Sequence, residues 1–215
     1  MSERGRMPRI CALVGAGDFN AERFLEMNSD GTFDYVIAVD GGYAILEEVG
    51  VAPDMVLGDF DSLGYVPKGI RTSKFSAHKD KSDMELAFER AKSRRFDTVY
   101  AFGVLGGRLD HTVANMQVGA RFSELGLSVF MVGMDEVLAF VTGPDVFEAE
   151  ARDEGTVSVF SLSDVSEGVF ERGMEWDLDD VTLTNRTSEG LSNELVGEPV
   201  MVGVEKGTIV VFFPL

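Results

Sequence analysis

One cysteine, one tryptophan and two histidines are all that 215 residues hold of three side chains that often define small-protein chemistry. The single cysteine, Cys11, excludes an intrachain disulfide framework and suits a reducing cytoplasm. It lies in the apolar run Ile10 to Val14, so it reads as a core residue rather than a nucleophile. His78 has no second histidine nearby, which leaves a zinc site short of ligands. Positive charge is also scarce: 19 Lys and Arg stand against 37 Asp and Glu, a net charge of −18. No basic face is available for nucleic acid or an anionic membrane, so neither is expected as a partner. A phosphate-bearing substrate would need a metal ion to approach so many acids. The first nine residues carry three arginines, but no long apolar run follows them. We therefore expect neither a signal peptide nor a transmembrane span, and a soluble cytoplasmic protein. There is no internal repeat and no low-complexity segment.

What the chain does hold is enough apolar residue, 45%, for a substantial core. The first part alternates. Arg9 to Val14 reads as a buried strand ending in the turn Gly15-Ala16-Gly17-Asp18, followed by a helix over about Phe19 to Met27. The turn lacks the third glycine of a dinucleotide fingerprint, so a structural turn is its simpler reading, with phosphate approach to its N–H groups as the alternative. Tyr35 to Val39 is the second strand and Ala44 to Val49 the second helix. Asp40, between them, either caps that helix or faces a crevice at the strand ends. Met55 to Leu57 and Ile70 to Phe75 are further strands. Met84, Ala87, Phe88 and Ala91 follow the i, i+3, i+4, i+7 rule and predict an amphipathic helix, with Ser82 and Glu85 as a capping box. Thr98 to Phe102, a helix over about Leu109 to Leu125, and Ser128 to Val132 complete a series that predicts a doubly wound, mostly parallel, Rossmann-like sheet.

From about Asp135 the texture changes. Val137 to Val141, Thr156 to Leu162, Val181 to Thr184, Pro199 to Val204 and Thr208 to Phe213 are short runs between turn residues, with no helical period. They predict an antiparallel sandwich or barrel. The expected fold is thus α/β followed by all-β, divided as residues 1–135 and 136–215. Trp176 reads first as a core residue, with stacking on a heterocycle as the alternative.

Acids gather where this reading puts the carboxyl ends of the strands, the edge at which open α/β sheets bind ligands. In Gly58-Asp59-Phe60-Asp61-Ser62, two carboxylates at alternate positions repel each other unless a cation lies between them, and Mg²⁺ on substrate phosphates is the simplest one. Taken alone, the stretch is as good an acidic surface turn. Asp40, Asp80 and Asp83 fall on the same edge, and their company favours a metal–phosphate site. Gly106-Gly107-Arg108-Leu109-Asp110-His111, with Asn115 beyond, offers backbone donors and a guanidinium at a helix start, a good anion-binding arrangement.

These blocks, in this order, resemble the thiamine pyrophosphokinase family: Asp40-Gly41-Gly42, Pro53-Asp54 leading to Gly58-Asp59-Phe60-Asp61-Ser62, Lys79-Asp80-Lys81-Ser82-Asp83, the Gly106 to His111 block, and Gly190-Leu191-Ser192-Asn193. The resemblance covers roughly residues 10 to 213. It implies an α/β domain binding ATP and Mg²⁺, and a β-sandwich binding thiamine at the subunit interface of a homodimer. The implied reaction moves the pyrophosphoryl group of ATP to the thiamine hydroxyl and releases AMP. Carried onto this chain, it makes Asp59, Asp61 and Asp83 the metal-binding catalytic acids. Asp40, Gly41, Asp80, Gly107, Arg108 and His111 would serve ATP and its phosphates; Asp110, Ser192, Asn193 and Trp176 would serve thiamine. Three positions depart from the family pattern. Ser82 replaces a threonine, Val104-Leu105 replaces a small residue and a threonine, and Glu175-Trp176-Asp177-Leu178 stands where Tyr-Pro-Leu is common. A diphosphokinase for another hydroxymethyl heterocycle, such as a pterin alcohol, and a non-catalytic nucleotide or thiamine sensor are the rival readings.

Overall fold

The computed structural model describes residues 7–58, 69–74 and 80–215. The chain divides into two compact units, Met1–Asn115 and Met116–Leu215.

In the first unit, β1 (Ile10–Val14), β2 (Tyr35–Val39), β3 (Met55–Gly58), β4 (Arg71–Lys74) and β5 (Thr98–Phe102) form a parallel sheet. Its order, β5-β1-β2-β3-β4, reverses direction beside β1. That reversal is why β1 is central and why four of its five residues, Cys11 to Val14, are fully buried. A strand covered on both faces needs a continuous apolar run rather than an alternation, which is what the sequence carries there. Cys11 is a core residue, as expected, and burial pushes its thiol far above the usual range.

The helices follow from side-chain period and caps. They are α1 (Ala21–Ser29), α2 (Gly42–Glu48), α3 (Asp83–Ser93) and α4 (Leu109–Glu124). Asn20 caps α1 by accepting the Arg23 N–H at 3.0 Å. Ser82 caps α3 by accepting the Glu85 N–H at 3.1 Å, the forward half of the expected capping box. The buried face of α3 is Met84, Ala87, Phe88 and Ala91, the four residues its period picks out. Burying Met84 and Phe88 alone contributes about 3–6 kcal/mol.

The lower edge of the sheet is stapled by acids that precede strands. Asp97 accepts the Arg9 N–H at 2.7 Å, Asp34 the Ile10 N–H at 2.7 Å, and Asp54 the Val36 N–H at 2.8 Å. Asp54, although part of the Pro-Asp motif, therefore works at the end of the strands opposite the site.

The second unit is an antiparallel β-sandwich. One sheet runs β6 (Ser128–Val132), β7 (Glu136–Thr142), β14 (Thr208–Pro214), β9 (Thr156–Ser161) and β12 (Asn193–Glu194). The other runs β8 (Asp145–Ala149), β13 (Val200–Val204), β10 (Val165–Arg172) and β11 (Leu178–Thr184). Both sheets contribute to one core that includes Val159, Val169, Leu183, Val202 and Val211. All five runs expected as strands are strands; β8, β10 and β12 were not anticipated. β8 is largely exposed and β12 has two residues. β10 carries Gly168 at φ 66° where its register with β11 shifts, so a bulge interrupts its alternation.

Candidate active site

The site in the first unit starts with glycines that let three loops touch. The Gly15–Asp18 turn after β1 is zipped to the loop after β5: Gly15, Gly17 and Asp18 donate their N–H groups to the carbonyls of Phe102, Gly103 and Leu105 at 2.8, 2.7 and 3.0 Å. Those donors are spent, so the turn is structural and the phosphate-approach alternative is set aside for these three N–H groups. A Cβ on Gly42 would lie 1.9 Å from the Val14 carbonyl oxygen, and one on Gly58 would lie 3.1 Å from Cα of Asp40. The start of α2 is thereby seated on the end of β1, and the end of β3 on Asp40.

Asp40 is held in that seat with φ 47°, a left-handed backbone uncommon for a residue other than glycine. Its N–H donates to the Leu57 carbonyl at 2.8 Å, and its own carbonyl accepts from Tyr43 at 3.2 Å. The N-cap of α2 is Gly41, so the capping reading of Asp40 gives way to the crevice reading. Its Oδ1 is buried with no hydrogen-bond partner among the described residues.

Above this floor lies a crevice of about 510 Å³ whose walls include Asp40, Asp83, Gly107, Arg108 and His111, five of the residues expected at the site. Asn115, at its base, donates from Nδ2 to the Val104 carbonyl at 2.7 Å and fixes the loop after β5. Gly106 and Gly107 are consecutive left-handed residues, φ 74° and 57°, a turn that favours glycine at both positions. The turn delivers α4 with its positive N-terminal end beside the crevice. Arg108 is not loose: Nε and Nη2 donate to Asp110 Oδ1 and Oδ2 at 3.1 and 2.5 Å. The hydrogen bond from Arg108 holds the Asp110 carboxyl below the usual range. Gly41, Asp80 and Asp110 are not in the crevice wall; Asp80 is exposed just before α3. Asp59 and Asp61 lie outside the described residues, as do His78 and Lys79. No three metal-binding side chains converge among the described residues. A buried carboxylate oxygen with no partner among the described residues, in a crevice that a second aspartate also lines, nonetheless fits a hard cation.

The second unit holds three further expected residues, Trp176, Ser192 and Asn193, around one buried amide. Asn193 accepts the N–H groups of Trp176 and Glu194 at Oδ1, 3.1 and 3.0 Å away. Its Nδ2 donates to the Trp176 carbonyl at 2.6 Å and to Glu171 Oε2 at 2.8 Å. The clasp on its main chain leaves Trp176 56% exposed, which corrects the expectation of a core residue. Arg172 secures the same hairpin, donating to the Leu178 carbonyl and to Asp179. Ser192 is exposed at φ 63°, strain of the kind that accumulates at functional positions. Glu171, fully buried under this loop, was not anticipated. The signal for it was there: in β10 it is two residues from Val169, on the inward face. Burial raises its carboxyl above the usual value.

The family model described as thiamin pyrophosphokinase, catalytic domain, matches residues 31–131, and the one described as thiamin pyrophosphokinase, vitamin B1 binding domain, matches 146–209. Together they cover well over half of the chain. The chain belongs to the thiamine pyrophosphokinase family. A curated thiamine pyrophosphokinase of Bacillus subtilis is 26% identical over 184 residues, 81% of this chain and 84% of its own. Among solved structures, that of Bacillus subtilis thiamine pyrophosphokinase superposes with a TM-score of 0.81 at 20% identity, covering 96% of this chain and 99% of its own. The thiamin pyrophosphokinase of Geobacillus thermodenitrificans gives 0.79 at 24%, covering 96% and 97%. That of Candida albicans gives 0.76 at 16%, covering 97% and 89%. At these identities the structures speak for the fold: a mostly parallel α/β sheet and an antiparallel sandwich, as the family resemblance implied. No helix among the described residues is long and apolar enough to cross a membrane.

Proposed function

We propose that the protein transfers the pyrophosphoryl group of ATP to the hydroxyl of thiamine, giving thiamine diphosphate and AMP. The observation that carries the reading is the buried Oδ1 of Asp40, without a partner among the described residues, in one crevice with Asp83, Arg108 and His111. Such a group favours a cation, and the helix start beside it favours an anion; a metal-bound polyphosphate meets both.

In this proposal Asp59, Asp61 and Asp83 hold Mg²⁺, with Asp40 and Asp80 as supporting acids. Bound there, the ion would neutralise phosphate charge and make the β-phosphorus more electrophilic. Arg108, the Gly107 turn and His111 bind the phosphates. Asp110 fixes the guanidinium with two hydrogen bonds and so orients it towards one phosphate geometry. Transfers of this kind depend mainly on positioning and charge neutralisation, so the chain needs no covalent nucleophile. Asp59 or Asp61 orients the thiamine hydroxyl or takes its proton. Ser192, Trp176 and the Asn193 that clasps it form the thiamine surface, with Asp110 as a further contact. The proposal includes residues 1–135 and 136–215 as the functional division, a homodimer with thiamine at the subunit interface, and a cytoplasmic location.

Asp61→Asn tests the assignment. It should fold with an unchanged melting profile and lose about 10²-fold or more of thiamine diphosphate formation. Turnover equal to that of the parent protein would remove Asp61 from the site.

A further inference from the structure

Glu171 sits where a carboxylate is costly. It is fully buried in β10; Oε2 accepts one hydrogen bond from Asn193, and Oε1 is buried with no partner among the described residues. Replacing the pair by apolar groups would cost the fold less than keeping half of it unsatisfied. Oε1 is directed to the loop above: a Cβ on Gly190 would lie 3.6 Å from it, two residues from the strained Ser192. Asn193 links the same carboxylate to the main chain of the exposed Trp176. Burial raises the Glu171 carboxyl, the Asn193 hydrogen bond offsets part of this, and the negative Asp177 raises it further. The Arg172 guanidinium is spent on the Glu171 carbonyl, at 3.0 Å, and on Leu178 and Asp179. Among the described residues, then, no cation is hydrogen-bonded to the carboxylate beneath the Gly190–Asn193 loop. The stretch that matches the vitamin B1 binding model, 146–209, includes all of these residues.

We propose that Glu171 is a buried counter-charge that makes this loop surface selective for a cationic heterocycle over a neutral one of the same shape. The inference rests on the reading of the loop as the thiamine surface, thiamine being a permanent thiazolium cation. The carboxylate does not touch the ligand. It acts through the loop and through low-dielectric protein, where a charge several ångströms away is poorly screened. A cation above it also lowers the cost of keeping the carboxyl ionised, so ligand and residue stabilise each other's charge.

The test uses the only tryptophan as its reporter. Quenching of Trp176 fluorescence is titrated in the full-length protein with thiamine and with a neutral isostere whose thiazolium ring is replaced by a thiophene. The parent protein should prefer thiamine by about tenfold or more. Glu171→Gln, and Glu171→Met as a second variant should the first fold poorly, should lose most of that preference while still binding the neutral isostere. A parent that binds neither compound removes the thiamine surface itself, and the inference with it. A parent that prefers thiamine while both variants keep the preference, or weaken both ligands equally, overturns the inference alone and leaves Glu171 a structural residue.

Discussion

The two units build their polar sites in opposite ways. In the first, the loop main chain is hydrogen-bonded and one buried carboxylate oxygen is left open. Gly15, Gly17 and Asp18 spend their N–H groups holding two loops together, while Oδ1 of Asp40 has no partner among the described residues. In the second, a buried amide is fully satisfied and ties the main chain of Trp176 to a half-satisfied carboxylate, Glu171. Asn193 makes four hydrogen bonds, and Ser192 beside it is held at φ 63°. The difference predicts that stability and activity separate in the crevice and are coupled in the clasp.

The largest break in that comparison comes from the crevice floor. Gly42→Ala drives a Cβ against the Val14 carbonyl and should cost about 3 kcal/mol by chemical denaturation. Asp83→Asn should do the reverse, with near-parental stability and a loss of about 10²-fold in AMP release. Equal stability losses in the two variants would erase the separation claimed for this unit. Asn193→Ala in the clasp should lose both at once: about 2 kcal/mol of stability, since it strands Glu171 and frees Trp176, together with thiamine affinity. A variant that loses only one of the two would show the clasp to be as separable as the crevice.

The smallest effect concerns pH. Burial raises the folded-state pKa of Glu171 above its ordinary 4.5. The folded state therefore holds this proton more tightly than the unfolded state. Its stabilising contribution is full below 4.5 and is lost as pH rises through the raised value. Glu171→Gln lacks that loss. Its melting temperature should exceed that of the parent at pH 7, with the gap narrowing towards pH 4.5. A gap that is constant with pH would mean that the carboxyl titrates alike in both states.

How much of this was legible in the sequence follows the same division. β1, β2, β3, β5 and the face of α3 follow from runs and periods, because each depends on local residues packed in a regular way. The crevice was legible because glycines and acids at strand ends form contiguous blocks. What escaped depends on distant partners. Asp54 could not be told from a site acid, since its partner is the Val36 N–H 18 residues away. Trp176 looked like core because nothing in its neighbourhood names Asn193, 17 residues on, as the group that turns its main chain. β10 was hidden by Gly168, whose bulge breaks the alternation between Ser166 and Val169. Asp59 and Asp61, the alternate acids of the Gly58–Ser62 stretch, lie outside the described residues, so their part rests on the proposal.

The central claim is tested most directly by identifying the nucleotide released from ATP and thiamine in the presence of Mg²⁺. The account predicts AMP and thiamine diphosphate in equal amounts, no release without the metal, and little or none with a pterin alcohol in place of thiamine. Release of ADP with thiamine monophosphate, or binding of both substrates without turnover, would contradict it.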